Sequence, residues 1–381
     1  MRPQSITGLG IDCALGIGRD AFFGALSRDE KAAIGTVSTF DKANYPNPRL
    51  AEVPDFDPTK FMGDKGLRTL DRLTKLSVVA ARLALHDSGI KRDGEYATFS
   101  PDRVGFCASN AYGSLEAITE LDRVAQLEDA RYINPAKFPN TVANSASGYV
   151  SIWEDIRALN VTVSDGNCGG LDAFACAELH LEGGRADAIV VGGAEAMSEA
   201  LYLAFEKLGA LESSWLGEGA AMMTVEPADV AKKRGAKVLG NVIGYGTAFL
   251  PPESEALLLH ASSEAMGRAI RLALDDASVA AKDVDLVISG VSGIHQFDGK
   301  EISAIREVFG NDTPIAAPKN ALGETLGASG AMAVATSLAW MNGVAKPTVI
   351  HGSAPSAVKT VVVTAMGFYG NASALVLQKP A

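Results

Sequence analysis

A layered α/β fold is what this sequence predicts, and three observations predict it. Helical and strand-like apolar patterns alternate along most of the chain. Several strand-like runs are apolar throughout, as strands covered on both faces must be. At 381 residues the chain can bury a large core, in one large domain or two similar halves.

Ile6-Thr-Gly-Leu-Gly reads as a strand and turn. Leu67 to Gly89 carries the amphipathic period of a helix that ends at glycine. Arg103-Val-Gly-Phe-Cys-Ala and Ala188-Ile-Val-Val-Gly-Gly read as buried strands. Ala220-Ala-Met-Met-Thr-Val-Glu, Val284-Asp-Leu-Val-Ile-Ser, Thr348-Val-Ile and Ser373-Ala-Leu-Val-Leu read the same way. Glu264 to Asp276 predicts a helix. The link Glu226-Pro-Ala-Asp-Val-Ala-Lys-Lys-Arg-Gly is the expected boundary between halves, 1–228 and 229–381.

Apolar residues make up 47% and charged residues 21%, the balance of a globular protein. No apolar stretch reaches membrane-spanning length, and Met1-Arg-Pro-Gln-Ser-Ile runs straight into a strand, so the expectation is a cytoplasmic protein with no membrane contact. A net charge of −11 argues against nucleic acid as a partner, and an acidic partner would need a local basic patch. The four cysteines, Cys13, Cys107, Cys168 and Cys176, show no metal-ligand spacing. Three of them read as small buried residues.

The chemistry gathers at Val163-Ser-Asp-Gly-Asn-Cys168-Gly-Gly-Leu-Asp, where a β-branched run feeds a cysteine at a glycine-flanked turn into a helix. N–H groups at a helix start lower a thiol pKa and stabilise an oxyanion, which favours an acyl-accepting thiolate. The other reading of Cys168 is a thiol that packs as a small apolar residue.

This elbow resembles that of the β-ketoacyl-ACP synthases (ketosynthases) of the thiolase superfamily. Five further segments carry the resemblance in order: Ile6-Thr-Gly-Leu-Gly-Ile-Asp, Phe138-Pro-Asn-Thr-Val-Ala-Asn144, Gly217-Glu-Gly-Ala-Ala-Met-Met-Thr-Val-Glu, Lys319-Asn-Ala-Leu-Gly-Glu-Thr-Leu-Gly-Ala-Ser-Gly330 and Met366-Gly-Phe-Tyr-Gly-Asn. The resemblance implies a thiolase-like five-layer α-β-α-β-α fold of two pseudo-repeated halves, assembled as a dimer. It implies no cofactor and no metal.

Decarboxylative condensation needs donors that hold the malonyl carbonyl while carbon dioxide leaves, and the family supplies them from two histidines. Counting back from Glu301 puts Gly290 at the first histidine position, with His295 five residues on in the same loop. The second histidine position holds Glu324. The family lysine is kept as Lys319, while Ala333 replaces its acidic partner. A buried ammonium needs a counter-ion, so Glu324 is expected to neutralise Lys319; the other role open to it is catalytic base. The amides of Cys168 and Phe368 form the oxyanion hole that the resemblance implies. The segment between Ala196 and Gly217 is shorter than the family's pocket-lining loop.

Lys60, Lys65, Arg68, Arg72 and Lys75 cluster at the first long helix. The resemblance implies that Lys65 and Arg68 help dock the acyl carrier protein, although Asp64 and Thr69 stand where basic neighbours are usual. It also places Tyr112, Leu115 and Ile118 at a dimer interface, where they would floor the partner's acyl tunnel. Ordinary interface packing is the other reading of these three.

Three functional expectations follow. The first is a chain-length-factor subunit that pairs with an active ketosynthase in type II polyketide, polyene or fatty-acid-like biosynthesis. Such a subunit is not a condensing enzyme alone but part of the β-ketoacyl-ACP synthase (acyltransferase) complex. The retained Cys168 departs from many such subunits. The second is a Cys168-dependent acyltransferase or thioesterase acting on acyl-ACP, with Glu324 as base. The third is a homodimeric ketosynthase that has recruited His295.

Overall fold

The computed structural model describes residues 1–380 except 36, 255, 256 and 258, and not the side chain of residue 42. Eleven strands carry the architecture: β1 (Gln4–Cys13), β2 (Val104–Ser109), β3 (Asn160–Val163), β4 (Ala188–Glu195), β5 (Gly219–Pro227), β6 (Gly240–Phe249), β7 (Leu286–Ile288), β8 (Ile315–Ala316), β9 (Val349–His351), β10 (Thr360–Met366) and β11 (Asn371–Gln378). They run in the order β9-β8-β7-β10-β11-β6-β1-β5-β4-β2-β3, and the short strand Gly16–Ile17, paired to β1, completes a twelve-stranded sheet.

That order contains one motif twice. Read inward, the first half is β3-β2-β4-β5-β1 and, inside the edge strand β9, the second is β8-β7-β10-β11-β6. Pairing repeats with it. β2 runs parallel to β3 and β4, as β7 does to β8 and β10. β5 is antiparallel to β4 and β1, as β11 is to β10 and β6. The halves join where β1 pairs antiparallel with β6 over Gln4–Ile6.

Seven helices cover the sheet: α1 (Arg72–Asp87), α2 (Leu115–Val124), α3 (Ser145–Glu154), α4 (Gly169–Glu182), α5 (Ser263–Ala277), α6 (His295–Phe309) and α7 (Ser329–Met341). Strand residues alternate between faces, and the alternation sorts the core into three layers. Val190 and Met222 face α1 and α3. Ile189, Val191, Val361 and Val363 face α4 and α7. Val287, Val362 and Val376 face α5 and α6. Helix, half-sheet, helix, half-sheet, helix is the five-layer thiolase-like arrangement. Every residue of α7 is buried, because this helix lies in the middle layer.

The middle layer closes on two glycines. A Cβ on Gly170 would lie 2.8 Å from Ala331 N, and one on Gly330 would lie 3.0 Å from Leu171 N. Only glycine lets the starts of α4 and α7 approach this closely.

The first long helix starts later than its period suggests. Leu67–Thr69 forms a separate 3-10 turn, and α1 begins after Asp71, whose side chain accepts from Thr74 N at 2.8 Å. The side-chain cap outweighs periodicity there. Arg72 also leaves the expected basic face. It turns inward to Glu218, a fully buried carboxylate, with Nε 2.8 Å from Oε2.

Candidate active site

The elbow lies between β3 and α4. Gly166, at φ +54°, turns the chain, and Cys168 caps α4 with its sulfur fully buried. The Cys168 N–H donates to Asp165 O at 3.1 Å, so the amide expected for an oxyanion hole closes the turn instead. The Cys168 thiol donates to Ala365 O at 3.3 Å.

Burial, followed by the nearby Asp172 and Asp165 carboxyls, pushes the Cys168 thiol well above its ordinary range. The Ser373 hydroxyl and Gly367 N–H oppose that rise without reversing it. Burial and the two acids thus oppose the thiolate that a helix start favours. Desolvation in a dry elbow beside two acids outweighs the helix field.

Asp172 accepts from Ser373 Oγ at 2.6 Å and Tyr245 OH at 2.7 Å. The nearby Asp165 carboxyl accepts from Asn371 Nδ2 at 2.9 Å. Burial pushes Asp172 up to about 7. The sequence reading passed over this group. Its signal was the spacing of Cys168 and Asp172, four residues apart on a helix and hence on one face.

Lys319 and Glu324 lie across the middle layer, in the stretch from β8 into α7. Lys319 Nζ and Glu324 Oε2 are 2.7 Å apart, and both side chains are buried. Glu324 Oε1 accepts from Leu326 N at 2.9 Å, so both carboxylate oxygens are engaged. Gly290 borders the same pocket. A Cβ there would lie 3.2 Å from Glu301 Oε2 and 3.7 Å from Lys319 Nζ. Glu301 accepts from Gly290 N at 2.8 Å and Thr364 Oγ1 at 2.5 Å, and burial pushes it up to about 7. Glu301, on α6, is thus held beside Gly290. Ala333 lines the pocket, which holds about 10 Å³, the space of one water.

Phe368 is buried in the turn between β10 and β11 and packs edge-on against Phe297, centroids 5.0 Å apart. With Tyr112, Phe205 and His295 it lines a cleft of about 280 Å³. His295 is the first residue of α6, and its side chain is exposed at the cleft mouth. Tyr112 is held by Glu195, which accepts from Ala111 N, Tyr112 N and Gly327 N at 2.8–3.1 Å. Burial lifts Glu195 to about 7. Leu115 is half-buried and Ile118 exposed on α2. Lys65 and Arg68 are both exposed on the approach to α1.

The fold thus brings Gly290, Lys319 and Glu324 into one cluster and sets Phe368 with Tyr112 in another cleft. Lys65, Arg68 and Ile118 are at the surface. Among the described residues there is no group of side chains placed to hold a metal, and no helix long and apolar enough to cross a membrane.

Comparison with known proteins adds to this geometry. The β-ketoacyl synthase N-terminal domain model matches residues 1–231, and the C-terminal domain model matches 246–353. The tetracenomycin polyketide synthase ketoacyl synthase beta subunit of Streptomyces glaucescens is 30% identical, over 99% of this chain and 98% of its own. The alpha subunit of the same synthase is 30% identical, over 98% and 96%. The 3-oxoacyl-[acyl-carrier-protein] synthase 2 of Coxiella burnetii is 28% identical, over 99% of both chains. Among solved structures, the ishigamide ketosynthase/chain length factor superposes with a TM-score of 0.90 at 24% identity, covering 100% of both chains. That likeness shows the fold.

Proposed function

Because this chain belongs to the β-ketoacyl synthase family, we propose that it acts as a chain-length-factor subunit, paired with a catalytically complete ketosynthase whose acyl tunnel it shapes. The observation that carries this reading is the buried Lys319–Glu324 ion pair. Condensation requires donors aimed at a carbonyl that becomes an enolate. At the two positions where the family resemblance expects histidines, this chain has Gly290, which has no side chain, and Glu324, which is committed to Lys319. A carboxylate there repels the developing negative charge.

The similarity to both subunits of a type II polyketide synthase supports the same reading. Its substrate class is an acyl chain carried as a thioester on an acyl carrier protein. Lys65 and Arg68 are exposed cations available for docking that carrier, and Tyr112, Leu115 and Ile118 are the residues proposed to line the partner's tunnel. The engagement of both Glu324 oxygens favours this reading over an acyltransferase or thioesterase with Glu324 as base.

The test is reconstitution with a Cys-His-His ketosynthase and its carrier protein. Malonyl-ACP decarboxylation and product mass are followed for this chain alone and for the complex. The chain alone should release no carbon dioxide, and the complex should elongate. Cys168→Ala should leave elongation intact, whereas Ile118→Trp should shorten the product. Decarboxylation by this chain alone would overturn the proposal.

A further inference from the structure

Glu195 ends β4 as a fully buried carboxyl, and among the described residues no cation pairs with it. Such a group is costly to bury and needs donors around it. Its donors are three backbone N–H groups drawn from two turns. Oε2 accepts from Ala111 N at 2.8 Å and from Gly327 N at 3.1 Å. Oε1 accepts from Tyr112 N at 3.1 Å.

The two turns belong to opposite halves of the chain, and they touch. A Cβ on Gly327 would lie 2.5 Å from Ala111 N, and one on Gly193 of β4 would lie 2.4 Å from Gly327 O. Between Glu324 and Gly327 the backbone is strained, because Leu326 sits at φ +48°, a left-handed conformation unfavourable for leucine. Two carboxyls pin that strained residue. Glu324 accepts from Leu326 N, and Glu195 accepts from the next amide, Gly327 N. A strained turn is thus locked against the turn that carries Tyr112.

The hold on Tyr112 reaches further. Tyr112 lines the cleft with Phe205 and Phe368, whereas Glu195 does not. The Tyr112 carbonyl accepts from Leu115 N at 2.9 Å, at the start of α2, and α2 carries Ile118. A shift of the Tyr112 backbone is therefore passed on to Leu115 and to the helix behind it.

We infer that Glu195 is a positioning residue that fixes Tyr112 in the cleft wall and so sets the length of acyl chain that the complex admits. The inference rests on the partner-subunit reading, which assigns Tyr112, Leu115 and Ile118 to the tunnel. Glu195 acts through backbone amides and touches no substrate.

The test has two readouts. Glu195→Gln keeps the shape of the side chain but replaces one oxygen by NH2. With its oxygen serving Ala111 N and Gly327 N, the NH2 faces Tyr112 N, donor against donor. Hydrogen exchange of the chain, resolved to single amides by mass spectrometry, should show Tyr112 protected in the wild type. It should exchange about tenfold faster in Glu195→Gln. In the reconstituted complex, Glu195→Gln should change the distribution of product lengths in the same direction as Tyr112→Ala. It should add little in the Tyr112→Ala background, because the two changes act on one wall. Length is the quantity read, since a complex that is merely weakened loses product at every length alike. Glu195→Asp keeps the charge but withdraws both oxygens by a methylene. It should act in the same direction and is read if Glu195→Gln fails to fold. An unprotected Tyr112 amide in the wild type would overturn the inference. So would product lengths that stay unchanged in every folded Glu195 variant while Tyr112→Ala alters them. Tyr112→Ala with no effect on length would instead overturn the tunnel reading on which the inference rests.

Discussion

Two turns of equivalent topology meet in the middle layer, β3 into α4 and β8 into α7, and both bury carboxylates. They solve that burial in different ways. In the second turn Glu324 has an ammonium 2.7 Å away. In the first, Asp172 accepts from two hydroxyls, and burial pushes it up to about 7. One fold motif thus accommodates an ion pair at one copy and an acid with a raised pKa at the other. The motif therefore specifies where a side chain sits, and the neighbours decide its charge.

The largest expected effect comes from breaking the ion pair. Lys319→Met leaves Glu324 buried without its cation and should cost about 3–5 kcal/mol in urea unfolding. The double variant Lys319→Met/Glu324→Leu should recover most of that loss, because it removes both charges. A single-variant loss under about 1 kcal/mol would mean that the carboxylate does not need its cation, and the contrast would vanish.

The next effect is a dependence on pH. Asp172, Glu195 and Glu301 are all raised to about 7. The folded state therefore binds their protons more tightly than the unfolded chain does. The stability this provides is complete below the ordinary carboxylate range and is lost as pH rises through about 7. Each group should account for on the order of 2 kcal/mol between about pH 5 and 7. Unfolding curves at those two values should show the protein less stable at the higher one, and Asp172→Asn should flatten the difference. A protein more stable at pH 7 than at 5 would contradict the picture of buried protons.

A smaller effect tests whether the two turns really touch. Gly170→Ala places a Cβ 2.8 Å from Ala331 N and should cost about 1–3 kcal/mol. Gly330→Ala should behave alike, with Leu171 N at 3.0 Å. Neutral alanines at both positions would show that α4 and α7 can separate without loss. The smallest expected effect is that of His295→Ala, which should change neither unfolding midpoint nor elongation by the complex. A fall in elongation would give that exposed ring a role in the chemistry.

The alternation of apolar runs exposed the layered architecture, because buried strands and amphipathic helices must carry those patterns. The elbow was legible because glycines flank a cysteine where a β-branched run meets a helix. The partnership of Lys319 with Glu324 was legible from charge balance over a short span, since a buried ammonium needs a counter-ion. Three things were not. Arg72 lies in a basic run, and only its contact with Glu218, far along the chain, turns it inward. Glu301 is held beside Thr364 and Gly290, on other elements. The ionisation of Cys168 depends on Ser373 and Ala365 from the opposite half.

The sequence by itself determined the α/β class, the position of the elbow, the absence of side-chain donors at Gly290 and the pairing of Lys319 with Glu324. Those features rest on local period, local turn chemistry or charges a few residues apart. The tertiary structure alone decided that the retained cysteine is buried with its thiol pushed upward, that Asp172 is pushed up to about 7 and that Glu301 faces Gly290. Desolvation and hydrogen bonding depend on which distant segments close over a group, and only the packed layers bring those segments together.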